Sequence, residues 1–319
     1  LGDVYKRQVH REKIAPVGGE IPPGTMLAVH EPIAIKDALD KEWAKLVKQG
    51  AWDPSTVQEY SDVKNAVLKS GRVVNFGRVY PLCFKKHAEQ ASENWKYKGR
   101  VVFQGNNVHT QEGLTAVFSE AATSACHHTS GRWLDALARL PNCAGQDADA
   151  VSAYTQADLQ GTETWVSLPA DQWPKSWGNM YRPVCKLKLA LYGHPKAGYY
   201  WQEHCKNALR KCGWEQVPSS ENMFMHNAKQ LFLSVYVDDF KMAGKKENIG
   251  PMWDILRANG LDLEPAVSLK SNVYLGCAQR EVTPDMDLIF AKREMMSRLC
   301  HAGQGKPTVS NIPELQEPS

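Results

Sequence analysis

Residues 231–244 read LFLSVYVDDFKMAG, and this stretch has the pattern of a β-hairpin. Seven mostly apolar, aromatic and β-branched residues lead into Asp238 and Asp239, and a shorter apolar run follows before Gly244. Aspartate is a common turn residue, so the pair is predicted to lie at or beside the tip. Two adjacent carboxylates repel each other unless a cation neutralises them. An ordinary solvated turn is the alternative, and a metal-holding hairpin requires a third carboxylate from another part of the chain.

Length and composition are those of a globular protein. The 319 residues suffice for one large domain with subdomains or for two domains. The apolar share of 43% and the charged share of 23% are ordinary. No apolar run approaches the ~20 residues of a membrane span, and no basic-then-apolar secretory pattern opens the chain. These features predict an intracellular protein that has no membrane partner and is not secreted.

The ends and the cysteines add little chemistry. The chain begins at Leu1 rather than Met, which indicates a fragment, and residues 1–30 are predicted to be a linker that opens with a translated library sequence. The eight cysteines are scattered without a CxxC pair, so reduced and mostly buried thiols are expected.

Basic residues are concentrated in two segments although the net charge is only +3. Residues 69–100 carry eight Lys or Arg against two Glu, and residues 182–211 carry seven against one Glu. Such a local excess suits a polyanion, because each neutralised phosphate releases counterions. Two solvated basic faces are the alternative reading.

Apolar periodicity and turn residues predict the order of elements along the chain. Residues 51–63 are predicted to be loop, and 87–96 a hairpin tip. The predicted helices span 37–49, 119–140 with a possible break at Gly131, 195–212, 247–258 and 291–300. The predicted strands span 72–76, 79–85, 98–104, 165–168, 184–189 and 273–280, the last pairing with 288–290.

This order favours an α+β architecture, an antiparallel sheet covered by helices on one face. Within it, Asp149 at the end of one strand is expected to face Asp238 and Asp239, although 89 residues separate it from Asp238. Clustered carboxylates raise one another's proton affinity, and hard cations such as Mg²⁺ relieve this. Two ions ~4 Å apart stabilise both the attacking and the leaving oxygens of a phosphoryl transfer.

Six segments occur in an order that carries a family resemblance. They are the helical stretch 37–52, YKGRVV at 97–102, DAVSAY at 149–154, KLKLALYG at 186–193, YVDD at 236–239 and YLG at 274–276. Together they resemble the reverse transcriptase domain of a copia-type LTR retrotransposon Pol polyprotein, over roughly residues 31–310. The family's LYGLKQAP continues here as LYGHPKAG, so Pro195 and Lys196 stand where it has Lys and Gln.

The resemblance implies a right-hand polymerase whose palm contains the antiparallel sheet. The implied reverse transcriptase domain covers 31–305, followed by a tail at 306–319. The implied parts are fingers mainly at 55–130 and 160–185, palm mainly at 131–159 and 186–283, and the start of a thumb at 284–305.

The resemblance also implies roles for individual residues. Asp149 and Asp238 would hold two Mg²⁺ ions, with Mn²⁺ as the alternative ion, and Asp239 would complete the catalytic set. The nucleotide would be bound by Lys98 and Arg100 at its triphosphate, by Tyr154 at the sugar 2′ position and by Gly193 through close backbone approach, and Tyr236 would support the hairpin.

Plainer readings stay open for the nucleotide-binding residues. They are a core tyrosine for Tyr154, an exposed basic strand for Lys98 and Arg100, and a helix-entry turn for Gly193. Lys270 is a further candidate, as a general acid, but its role is not assigned.

The function implied is RNA-directed DNA synthesis on an RNA or DNA template with a primer, from deoxynucleoside triphosphates. The protease, integrase and RNase H of a Pol polyprotein have no counterpart in this sequence, and the place of action would be a cytoplasmic virus-like particle or the nucleus. A decayed retrotransposon remnant that only binds nucleic acid is one alternative. A structural domain with a coincidental Asp-Asp turn is the other.

Overall fold

A computed structural model describes residues 31–88, 91–118, 128–218 and 220–269, and the backbone of the strands at 273–274 and 277–278. The chain divides into two compact units, 1–267 and 268–319. The predictions for the linker 1–30, Lys270, the strand 288–290, the helix 291–300, the thumb and the tail lie outside the described residues.

Five helices and fourteen strands make up the described part of the chain. The helices are α1 (Glu31–Gln49), α2 (Tyr60–Ser70), α3 (His128–Leu137), α4 (Ala197–Lys211) and α5 (Lys246–Ala258). The strands are β1 (Trp52–Glu59), β2 (Val74–Lys86), β3 (Lys96–Phe103), β4 (His109–Thr110), β5 (Cys143–Asp149), β6 (Glu163–Ser167), β7 (Pro183–Leu187), β8 (Glu215–Gln216), β9 (Met223–His226), β10 (Leu231–Tyr236), β11 (Asp239–Lys245), β12 (Val267–Ser268), β13 (Val273–Tyr274) and β14 (Cys277–Ala278).

The first sheet has the strand order β1-β7-β6-β2-β3, with β4 paired to β2. The pair β2–β6 is parallel and the others are antiparallel. β2 and β3 form a long hairpin around the predicted tip. Helix α1 packs closely on β3, since a Cβ built at Gly99 would come within 2.3 Å of the Ala38 carbonyl oxygen. Helix α1 therefore supports the basic hairpin β2–β3 by packing directly on β3.

The second sheet has the order β12-β5-β11-β10-β9-β8 and carries the Asp-Asp hairpin. Phe240 and Met242 lie on the face that packs against α4 and α5, in a core that includes Trp201 and Trp253. Helix α3 packs on the opposite face, where the Trp133 ring stacks edge-on against Phe232 at 4.7 Å. The α+β prediction is confirmed, but the prediction that helices cover one face only is wrong.

Several predicted elements are confirmed with shifted ends. α4, α5, β6, β7 and the hairpin β10–β11 lie where the pattern places them. α1 begins at Glu31, six residues before the predicted start at Asp37, and ends at Gln49, followed by Gly50, which has φ +69°. Pro195 precedes α4 instead of lying in its first turn. The strands predicted at 72–76 and 79–85 are one continuous strand, β2.

The prediction of a loop over 51–63 is wrong, because β1 and the first residues of α2 occupy it. The register of β1 against β7 shifts between Asp53 and Gln58, and Pro54 lies in that irregular stretch. Proline is tolerated in sheets at such irregularities. The strand was not predicted because its mostly polar residues lack the apolar alternation by which strands are recognised.

Two further predictions fail, the helix break at Gly131 and the long strand over 273–280. Gly131 does not break α3, which continues through it. A strand over 273–280 is replaced by the short hairpin β13–β14, in which Val273 opposes Ala278.

The cysteine prediction agrees with the described residues. Cys83, Cys185 and Cys205 are buried free thiols, and Cys143 and Cys212 are partly buried free thiols. In the described ranges, no helix has the length and apolar character needed to cross a bilayer.

Candidate active site

The hairpin β10–β11 turns through two residues, Val237 and Asp238, and Tyr236 pairs with Asp239 at its end. Val237 has φ +53°, a left-handed conformation that β-branched residues rarely adopt. The indole Nε1–H of Trp201 donates a 2.6 Å hydrogen bond to the Val237 carbonyl oxygen. Helix α4 therefore anchors a strained turn, and Asp238 lies at its tip.

Asp149 reaches the same place from β5, as the last residue of that strand. It lies directly opposite Asp239 in the β5–β11 ladder. The backbone N–H of Ala150 donates a 2.7 Å hydrogen bond to the Asp238 carbonyl oxygen. Asp149 therefore meets the adjacent pair Asp238 and Asp239 at one end of the second sheet, although 89 residues separate it from Asp238.

Burial and mutual repulsion disturb the ionisation of these carboxyl groups. Burial, followed by the charges of Asp238, Asp149 and Asp147, raises the pKa of Asp239 to about 7. The pKa of Asp149 is also raised, by burial first and then by the charges of Glu264 and Asp238. Perturbed carboxyl groups of this kind are typical of functional sites, although structural networks produce them as well.

The carboxylate oxygens at this end of the sheet fit a cation that keeps some of its water ligands. Within the described ranges, no three His, Cys, Asp or Glu side chains are grouped so as to surround a metal ion. Mg²⁺ commonly binds one or two carboxylates together with waters and substrate phosphates. The neighbouring carboxylates of Asp149 and Asp238 match that requirement, and Mn²⁺ accepts the same oxygen ligands.

Tyr154 follows Asp149 in a 3₁₀ turn at Ala153–Gln156. Its ring lies 4.5 Å from the ring of Tyr192, and its pKa is raised by burial and then by the charge of Asp238. The side chain is therefore partly buried and lies beside the acidic cluster, between it and the segment that leads to Gly193.

Lys98 and Arg100 lie on β3 and approach the acidic cluster from the first sheet. Burial, assisted by the charges of Arg100 and Lys86, lowers the pKa of Lys98 to about 8, while Asp238 opposes that shift. The guanidinium of Arg100 lies 3.4 Å from a carboxylate oxygen of Glu42 on α1 and 5.2 Å from the centre of the Tyr192 ring. Neither residue belongs to a plain exposed basic strand.

Comparison with known proteins gives the family. The sequence profile described as reverse transcriptase (RNA-dependent DNA polymerase) matches residues 77–275, more than half of the chain. This chain belongs to the reverse transcriptase family. The retrovirus-related Pol polyprotein from transposon RE1 of Arabidopsis thaliana is 29% identical over 162 residues, 50% of this chain. The chain spans 10% of the length of that relative. The predicted kinship with copia-type retrotransposon reverse transcriptase domains is confirmed.

Gly193 of this reverse transcriptase domain has a structural reason to be glycine. Its φ is +88°, and a Cβ there would lie 2.1 Å from the Phe103 carbonyl oxygen. The Phe103 N–H donates a 2.7 Å hydrogen bond to the Tyr192 carbonyl oxygen across the same contact. The close approach shown is between two backbone segments of the domain, and the role of Gly193 toward a nucleotide stays a prediction.

The departure from the family's LYGLKQAP brings a buried histidine into the reverse transcriptase domain. His194 packs 5.0 Å from the ring of Phe103, and its Nδ1 accepts a hydrogen bond from the Lys196 backbone N–H. Burial, and then the charge of Lys196, lowers the pKa of His194 to about 4. The imidazole is neutral at pH 7 and serves packing at this junction.

Two acidic residues at the site were missed by sequence reasoning. The Glu264 backbone N–H donates a 2.8 Å hydrogen bond to the Asp149 carbonyl oxygen, and its charge acts on Asp149. Glu42 holds Arg100. Neither lies in a recognisable motif, and the periodicity of α1 would have indicated only that Glu42 lies near the buried face.

Proposed function

We propose that this reverse transcriptase domain catalyses RNA-directed DNA synthesis by nucleotidyl transfer with two divalent cations. The observation that carries the proposal is the meeting of Asp149, Asp238 and Asp239 at one end of the second sheet. Family membership supports the reaction class, and the acidic end of the sheet supports the place where it occurs.

The reaction joins a primer 3′ oxygen to the α-phosphorus of a deoxynucleoside triphosphate and breaks the bond to the leaving pyrophosphate. Asp149 and Asp238 would hold the cations, with Asp239 supporting them from β11. Bound Mg²⁺ would supply charge stabilisation at the attacking and leaving oxygens. The protein's own contribution is positioning and preorganised charge, which are the main terms in phosphoryl transfer.

The residues around the acidic cluster would bind the nucleotide. Lys98 supplies an ammonium within the electrostatic reach of Asp238, and Arg100 supplies a guanidinium held in place by Glu42. Both cations suit a triphosphate. The ring of Tyr154, packed on Tyr192, would fill the space at the sugar 2′ position and favour deoxynucleotides. Tyr236, 37% exposed and paired with Asp239, would support the hairpin beside the primer end.

The substrates of the domain follow from the same reasoning. We propose an RNA or DNA template annealed to a primer, bound largely through phosphate contacts of the basic hairpin β2–β3. The protease, integrase and RNase H activities of a Pol polyprotein would come from other parts of a longer protein.

Primer extension tests the proposal. The purified chain is incubated with poly(rA) annealed to oligo(dT), with dTTP and Mg²⁺, and compared with Asp149→Asn and Asp238→Asn. We expect extension by the wild type and a loss of at least about a hundredfold in both variants, because a cation ligand is removed. Asp262→Asn is the matched control, since its exposed side chain lies near the site and only its backbone contacts the Asp149 segment.

The binding-only alternative makes a different prediction in the same experiment. It requires that the wild type binds the labelled template and primer, measured by fluorescence anisotropy, without extending the primer. Extension that persists in Asp238→Asn would overturn the proposed site, and so would an equal loss in Asp262→Asn.

A further inference from the structure

The acidic end of the second sheet continues inward as a row of charged residues on the same face. Side chains two residues apart on a strand share a face, and directly opposed residues do so as well. Asp147 precedes Asp149 by two residues, and Lys241 follows Asp239 by two. Asp147 and Lys241 are directly opposed in the β5–β11 ladder. The face therefore carries an outer pair of aspartates, Asp149 and Asp239, and an inner pair of opposite charges, Asp147 and Lys241. Asp238 lies at the outer end as well, in the turn before Asp239.

Lys241 is buried to a degree that is unusual for a lysine, with 2% of its surface exposed. Its Nζ lies 2.5 Å from a carboxylate oxygen of Asp135, which α3 brings over the sheet. Lys241 is paired across the strands with Asp147 on β5, which is also 2% exposed, and with Ser234 on β10, which is fully buried. A buried ammonium requires charged or hydrogen-bonding partners of this kind, so the arrangement is a built polar group inside the fold.

The Lys241 ammonium lies close enough to the outer carboxylates to influence their electrostatic field. Two residues along a strand span about 7 Å, so the Lys241 backbone lies about that far from Asp239. Without its ammonium, Asp135 and Asp147 would extend the negative field inward from Asp149. A divalent cation would then find a second set of oxygens beneath α3, away from any substrate.

We propose that Lys241 is a built-in counter-ion that occupies the inner end of this acidic face and confines divalent cations to Asp149 and Asp238 at the outer end. The proposal rests on the proposed function, because it takes the outer carboxylates as the cation site. Lys241 is thus a positioning residue: it acts through the charge distribution and touches neither substrate nor cation. The ion pair with Asp135 holds it in place, and Asp147 opposes it across the ladder.

Counting bound Mn²⁺ ions tests the proposal without any measurement of activity. Free Mn²⁺ is titrated against the full chain and followed by its solution EPR signal, for the wild type, Lys241→Met and the charge-conserving Lys241→Arg. We expect the same number of bound ions in the wild type and Lys241→Arg, and one additional ion in Lys241→Met. The additional ion should be absent in Lys241→Met/Asp147→Asn. An unchanged count in Lys241→Met overturns the proposal, and so does an additional ion that persists in the double variant.

A single substitution at Asp147 decides the question even if Lys241→Met does not fold. Asp147→Asn leaves the ammonium with one anion fewer, so Mn²⁺ at the outer end should bind at least about threefold more weakly. Unchanged affinity in that variant overturns the proposal. The double variant Asp149→Asn/Asp238→Asn separates this result from the proposed function, because a wild-type ion count that survives it would refute the outer site itself.

Discussion

Asp149 and Asp239 oppose each other directly across β5 and β11, at the end of the second sheet. Directly opposed residues on one face have Cβ atoms about 4.5–5.5 Å apart, and like charges in that position destabilise a sheet. The domain tolerates this repulsion at the place where its Asp-Asp turn also lies. This locally unfavourable pair of charges supports the proposal that the end of the sheet binds a cation, because a cation would relieve the repulsion.

The pH dependence of stability should report on Asp239 in the metal-free protein. Its carboxyl has a pKa of about 7 in the folded chain, against the ordinary value of 3.8. The protonated form therefore stabilises the fold fully below about pH 4, and this contribution is lost as the pH rises through about 7. With EDTA present, we expect the free energy of unfolding in urea to fall between pH 5 and pH 8.

Asp239→Asn isolates that contribution, because the amide resembles the protonated acid and does not titrate. The variant should lose less stability than the wild type over the same pH interval. Parallel curves for the two proteins would show that Asp239 has an ordinary pKa.

Gly193→Ala should destabilise the domain strongly. The new methyl group would meet the Phe103 carbonyl oxygen at 2.1 Å, and the positive φ is itself unfavourable for alanine. We expect a loss of about 2–4 kcal/mol in the free energy of unfolding, from backbone strain and overpacking together. Gly250→Ala in α5 is the matched control: nothing lies within 4 Å of the added Cβ, so a gain of about 0.5–1 kcal/mol is expected. Equal effects of the two changes would contradict the backbone contact at Gly193.

Val237→Gly should separate stability from activity at the hairpin. Glycine adopts the positive φ of this position without steric strain. The relief of strain should exceed the cost of glycine's greater conformational entropy in the unfolded chain. We therefore expect chemical denaturation to show a gain of up to about 1 kcal/mol in the free energy of unfolding. Primer extension should nevertheless fall several-fold, because a freer turn holds Asp238 less well. Val73→Gly, at an exposed position with ordinary φ, should lose about 0.5–1 kcal/mol. A destabilised Val237→Gly protein would show that the turn is not strained.

The hairpin β2–β3 should contribute to the salt dependence of template binding. Lys86 and Lys96 are exposed and directly opposed, so they repel each other until an anion lies between them. Lys86→Gln/Lys96→Gln should lower the slope of log K against log[salt] for a template and primer duplex by about 1.8 if both contact phosphates. Anisotropy titrations at several salt concentrations measure the slope. Lys175→Gln/Lys229→Gln removes two exposed lysines outside the hairpin, and a slope that falls equally there would deny the hairpin a special role.

Much of the site was predictable because its signals are local. The apolar, aromatic and β-branched run that leads into Asp238 and Asp239 predicts a hairpin, and helical spacing predicts the buried face of α4. Prediction failed at Pro54, where a polar strand with an irregular register has no alternation to read, and at Gly131, where packing of α3 on the sheet overrides a weak helix former.

By itself, the sequence determined the Asp-Asp hairpin, the acidic strand end at Asp149 and the order of motifs that belongs to reverse transcriptases, because each depends on a few consecutive residues. Only the tertiary structure decided that Glu264 stands beside Asp149, that Glu42 holds Arg100 and that Lys241 is buried against Asp135. Those contacts join residues from separate elements through sheet register and helix packing. A one-residue shift in the register of β5 or β11 would move their side chains to the opposite face of the sheet. No local sequence pattern could therefore have specified these contacts.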